Sequence, residues 1–163
     1  MEYLRSVVEI AWHGAVLRIE AGPVEAGPVE PGTSGAAVPV RFAVVTACNP
    51  DSARRPEAEN RRATAALRDR LLRQGLPFVA AVGYSPDLTW VEPGFALVDA
   101  AGPDVRALCA DFGQAAYFDL APGRLQVVDR HGRSRGGSRP RVSAVPPGRS
   151  VLATPAGSPA GGG

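Results

Sequence analysis

Lysine is absent from the 163 residues, and cysteine, histidine and methionine are scarce, at two, two and one. Cys48 and Cys109 are too few for a disulfide scaffold, and no CxxC pair or histidine cluster gives a metal-ligand spacing. Both lie in apolar stretches and read as reduced core thiols, so no metal site is expected. His13 and His131 have no nucleophile at motif spacing, which removes support for a catalytic triad. Neither a GxGxxG loop nor a lysine-ended phosphate loop occurs, so no nucleotide cofactor is expected. No apolar run approaches the roughly 20 residues of a membrane helix. Met1-Glu2-Tyr3 opens no signal peptide. The expected setting is cytoplasmic, with no membrane partner.

Hydrophobic residues make up 45% of the chain and aromatics 6%, enough for one modest core. Gly 19 and Pro 16 point to long loops or tails. All 18 basic residues are arginine, and their placement is uneven. Residues 1–129 hold 12 arginines against 16 acids, about −4; beyond Asp129 there are six arginines and no acid. We expect one α+β domain over 1–129, interrupted by a Gly/Pro-rich excursion at 21–37 that contains a tandem Ala-Gly-Pro-Val-Glu repeat. Residues 130–163 are expected to be a disordered Arg/Gly/Pro-rich tail. A basic tail raises nucleic acid as a partner, but this one has no aromatic for base stacking, and the acidic body repels phosphate.

Residues 5–20 read as a strand pair or a bent strand, and Val38 to Cys48 as a β-branched central strand stopped by Asn49-Pro50. A helix follows, with Pro56 at its first position, Glu57 and Glu59 at its positive end and Gly75 closing it. Ala63, Leu67 and Leu71 share its apolar stripe, and Asn60 sits at the head of that stripe, where an amide requires a partner. Leu76–Gly83 and Trp90–Asp99 read as strands, Pro103–Phe112 as a second helix, and Ala115–Leu120 and Leu125–Asp129 as two further strands.

From Val38 to Leu120 the order is strand, helix, strand, strand, helix, strand. This is the split βαβ, or ferredoxin-like, pattern: an antiparallel sheet with two helices on one face, here with extra N- and C-terminal strands. The right-handed crossover rule sets the Trp90 strand and the Ala115 strand on either side of the first strand, antiparallel to it. One end of the sheet then collects Thr46, Asn49, Asn60, Glu92 and Gln114, with Arg54, Arg55, Arg61 and Arg62 at the nearby helix start. Such an end suits an anionic or amide-bearing ligand. Glu92 is the carboxylate placed there, a general base if desolvated, with Asp51 the one near candidate for a pair. Cys48, close to a helix N-terminus, is either a packed thiol or a nucleophile of lowered pKa.

Thr46-Ala-Cys-Asn-Pro50, Glu59-Asn60-Arg61, Val82-Gly83, Trp90-Val-Glu-Pro-Gly94 and Phe112-Gly-Gln114 together resemble a bacterial family, domain of unknown function 3293, over roughly residues 41–129. The resemblance singles out Thr46, Asn49, Pro50, Asn60, Gly83, Trp90, Glu92, Phe112 and Gln114, and implies no activity. Three readings stay open. In the first, Thr46, Asn49, Asn60, Arg61, Trp90 and Gln114 bind a polar or anionic small molecule. In the second, Glu92 is the catalytic base of a hydrolase- or transferase-like enzyme. In the third, the basic tail contacts protein or nucleic acid and the polar cluster only holds the fold.

Overall fold

The computed structural model describes residues 5–22, 37–146 and 148–152. Residues 23–36 of the 21–37 excursion, with most of its repeat, and residues 153–163 lie outside the described residues. In chain order the elements are β1 (Val7–Trp12), β2 (Ala15–Glu20), β3 (Phe42–Thr46), α1 (Glu57–Gln74), β4 (Phe78–Tyr84) and β5 (Val91–Val98). There follow α2 (Gly102–Asp111), β6 (Ala116–Ala121), β7 (Arg124–Asp129), β8 (Ser134–Ser138) and β9 (Arg141–Ala144). The described strands form one sheet in the order β8-β7-β6-β3-β5-β4-β1-β2-β9, with antiparallel neighbours throughout. The chain is an α+β protein.

Local chemistry explains the elements. The β1–β2 hairpin turns on His13-Gly14, both at positive φ, as a two-residue turn between right-twisted strands requires. Helix α1 carries Glu57 and Glu59 in its first turn and stops at Gly75, whose φ of 64° lets its N–H reach back to the Leu71 and Leu72 carbonyls. Leu67 and Leu71 from α1, with Val105, Leu108 and Cys109 from α2, pack on Ala43, Val45, Phe95, Leu97 and Tyr117. Both helices therefore cover the same face.

Among the described residues the opposite face has no helix, yet it is buried. Val8, Ile10 and Ile19 of β1 and β2 share one cluster with Phe42, Val44, Phe118, Leu125 and Val127 of β3, β6 and β7. In a flat sheet β2 and β7 would lie about 29 Å apart at normal strand spacing. Contact between these wings requires the sheet to curl. The connection between β8 and β9 gives the same answer: only Arg139 and Pro140 separate the two strands that form the two edges. Three Cα steps reach at most about 11 Å.

Residues 134–144 thus correct the expectation of a disordered tail beginning at 130. They form a strap whose first strand pairs with β7 and whose second pairs with β2. Composition concealed it because glycine here meets a steric need. A Cβ on Gly137 would stand 2.8 Å from the Leu125 carbonyl oxygen.

Candidate functional site

Thr46, Asn49, Asn60, Glu92 and Gln114 do meet at one end of the sheet; Asn49, Asn60 and Glu92 bond one another, whereas Thr46 and Gln114 bond backbone groups around the same turn. Asn49 follows β3 at φ 46°, a left-handed conformation that asparagine tolerates better than most residues. Its backbone N–H donates to Asn60 Oδ1 at 2.9 Å, and Asn60 Nδ2 returns a bond to Asn49 Oδ1 at 3.0 Å. Asn49 Oδ1 also accepts the Arg55 N–H at 2.9 Å, which fixes the entry to α1. Asn49 Nδ2 donates to Glu92 Oε1 at 3.0 Å. The partner required by an amide on the core side of α1 is therefore the β3 turn.

Gln114 reaches the same turn from the end of α2, its Nε2 donating to the Cys48 carbonyl at 3.0 Å and more weakly to that of Phe112. Thr46 donates to the Pro93 carbonyl and accepts the Cys48 N–H, which ties the end of β3 to β5. Asn49, Glu92 and Gln114 are all buried, at 8%, 9% and 6% exposure. In this arrangement Asn49 and Asn60 are largely committed to holding the turn.

Arg61 and Trp90 stand at the margin. Arg61 is exposed and pairs with Glu57 one helical turn back. Trp90 is half-buried beneath the Arg54 guanidinium, which lies 4.7 Å from the ring centroid and donates to the Thr89 carbonyl. Among the described residues Trp90 Nε1 is buried without a partner; it faces the Glu92 carboxylate outside hydrogen-bond geometry. Burial pushes the Glu92 carboxyl above the ordinary glutamate value, with the Asn49 bond opposing that shift.

The thiol of Cys48 is driven the other way from a nucleophile. Burial raises its pKa, and its Sγ contacts Thr64 Oγ1 and the Pro93 carbonyl. Asp51 is no carboxylate partner for Glu92; it pairs with Arg130 at 3.4 Å. Among the described residues no group of three metal-ligating side chains occurs.

Two features escaped the sequence. One is a groove of about 480 Å³ between α1 and β5, where Asn60, Arg61, Thr64 and Arg68 face Val91 and Pro93, with Cys48 among the lining residues. Arg61, Thr64, Ala65 and Arg68 recur at i, i+3, i+4 and i+7, a stripe readable from helical spacing beside Asn60. The other is Glu9, fully buried in β1. It accepts from Arg18 at 2.9 Å, Tyr84 at 2.9 Å, Ser150 at 2.6 Å and the Leu152 N–H at 3.1 Å. Burial alone would raise its pKa, but the bonds from Ser150, Arg18, Leu152 and Tyr84 together bring it below the ordinary value. Burial and the Glu9 contact push the Tyr84 phenol up to about 12.

Residues 45–117 match the family model described as a protein of unknown function (DUF3293). That stretch of the chain belongs to this family. No curated protein and no solved structure matches the chain. The DUF3293 segment runs from the end of β3 into β6 and contains all seven candidate residues, Thr46, Asn49, Asn60, Arg61, Trp90, Glu92 and Gln114. The strands β1, β2, β7, β8 and β9 lie outside the matched segment. No helix among the described residues is long and apolar enough to cross a membrane.

Proposed function

We propose that the protein binds a small molecule with an anionic or polar head and an apolar body, in the groove between α1 and β5. The observation that carries this reading is the groove itself, whose volume lies in the range of small-molecule sites. Its β5 wall offers exposed Val91, and its α1 wall offers Arg68, which has no carboxylate partner among the described residues. The bonded Asn49, Asn60 and Glu92 hold the two walls together. We read β6-β3-β5-β4 with α1 and α2 as a ferredoxin-like unit on the basis of strand order, and place the protein in a bacterial cytoplasm.

A thermal-shift screen of carboxylates and phosphates with aromatic or aliphatic bodies tests the groove. Compounds that stabilise the wild type should lose that effect in Ala65→Trp, which fills the groove from an exposed helix position, and weaken in Arg68→Ala. Equal shifts in all three proteins, or none in the wild type, overturn the reading.

A second reading, with Glu92 as general base, draws support from its burial and its raised pKa. Glu92 lies on the face of β5 away from the groove, against a cavity of about 30 Å³. That space takes a water but not a substrate body. If a stabilising compound is chemically converted by the wild type and not by Glu92→Gln, the enzyme reading displaces simple binding.

A further inference from the structure

The ladder between β3 and β6 ends at the pair Val44 and Phe118, although β3 continues to Thr46 and β6 begins at Ala116. The two strands part there, and the 30 Å³ cavity occupies the opened seam. Thr46, Gln114, Tyr117 and Phe118 line it from β3 and β6, and Gly83 and Glu92 from β4 and β5. Among the described residues Glu92 is the only charged one in this lining, which includes no arginine.

Two acceptors remain unused. Glu92 gives Oε1 to Asn49, and apart from the Trp90 indole N–H, which faces the carboxylate outside hydrogen-bond geometry, its Oε2 has no donor among the described residues. Gln114 spends Nε2 on the Cys48 and Phe112 carbonyls, and its Oε1 makes none. We propose that this seam cavity binds a protonated primary amine, free or at the end of a slender alkyl chain, with Glu92 and Gln114 as acceptors.

Size, sign and donor count select this class. The cavity admits roughly one or two water-sized groups, which excludes guanidinium and quaternary ammonium heads. Water alone would leave the buried carboxylate without a counter-charge. A divalent metal ion would demand about six oxygen ligands, whereas an ammonium group is satisfied by fewer acceptors and tolerates aromatic walls. Burial disfavours the Glu92 carboxylate, and a cation seated beside it offsets that penalty. The proposal does not rest on the groove, which opens on the other face of β5 and takes different probes.

The test is a thermal-shift titration of the full chain with methylammonium and ammonium chloride, against potassium and tetramethylammonium chloride at equal ionic strength. Wild type, Glu92→Gln and Gly83→Ala are compared. Gly83 pairs directly with Glu92, so an added Cβ lies on the cavity side, and its nearest neighbour is Phe118 at 4.0 Å. The methyl group therefore fits but consumes cavity volume. Methylammonium should stabilise the wild type beyond the control salts, and either substitution should weaken that response about tenfold or more. Equal responses across the four salts, or across the three proteins, overturn the proposal. Should a variant fail to fold, amide chemical shifts of wild-type Gly83 and Gly94 decide: saturating changes with methylammonium support the site, and their absence refutes it.

Discussion

Glu92 and Glu9 are both buried carboxylates, and their neighbours move them in opposite directions. Glu92 has one good donor, Asn49, so burial dominates and its pKa rises. The folded state then holds a proton that the unfolded chain has lost. Stability falls as pH increases from the ordinary glutamate value through the raised one, and stays lower above it. Glu92→Gln retains an acceptor for Asn49 and removes the charge. Denaturant midpoints from acid to neutral pH should fall in the wild type across that window and flatten in the variant; parallel curves would show that Glu92 does not set the slope. Asn60→Ala strips the turn of two bonds and should cost about 2 kcal/mol by the same measurement. These residues were legible in the sequence because each marks a local rule: a turn asparagine, a helix-stripe amide, a strand alternation. Glu9 was not legible, since its donors Ser150 and Leu152 lie more than 140 positions away.

Strand and helix order from β3 to β6 was readable for the same reason, because hydrophobic period and breaker residues repeat within each element. The strap β8–β9 was opaque, since Ser-Arg-Gly-Gly-Ser carries no apolar alternation and takes its structure from the edges it joins. Glycine roles also depend on tertiary neighbours. Gly94 in β5 pairs opposite Thr46, and a Cβ there would lie 2.1 Å from the Val45 carbonyl oxygen, backbone that cannot rotate away. Gly83 in β4 has no such obstacle. Gly94→Ala should therefore destabilise by about 3 kcal/mol or more, the scale of overpacking with backbone shift. Gly83→Ala should change the unliganded protein by less than about 1 kcal/mol. Chemical denaturation of the pair measures both, and equal losses would refute the close approach of β5 to β3.

Across the whole molecule, the basic C-terminal region and the acidic body are partly joined. Arg130 pairs with Asp51 at 3.4 Å and Arg135 with Asp129 at 2.9 Å, which offsets the charge of two of the six distal arginines while leaving their side chains accessible. The same region fastens the curled sheet through Glu9, whose carboxylate receives Ser150 and Leu152 from beyond β9 and Arg18 and Tyr84 from β2 and β4. Its folded pKa lies below the ordinary glutamate value. The stability it supplies is complete above that ordinary value and disappears as pH falls through the depressed one. Acid should therefore release the C-terminal end before the helical face of the sheet, where Leu67, Leu71, Val105 and Leu108 pack in a cluster that contains no carboxylate or histidine. Hydrogen exchange at the Leu152 amide should accelerate on acidification ahead of amides in α1, after correction for intrinsic rates. Glu9→Gln should advance that release to neutral pH and lower stability by about 3 kcal/mol, the scale for breaking a buried ionic cluster. Ser150→Ala should reproduce part of the loss by removing the shortest of the Glu9 bonds. If Leu152 and α1 exchange together at every pH, the fastening is not separable, and the strap unfolds only with the sheet.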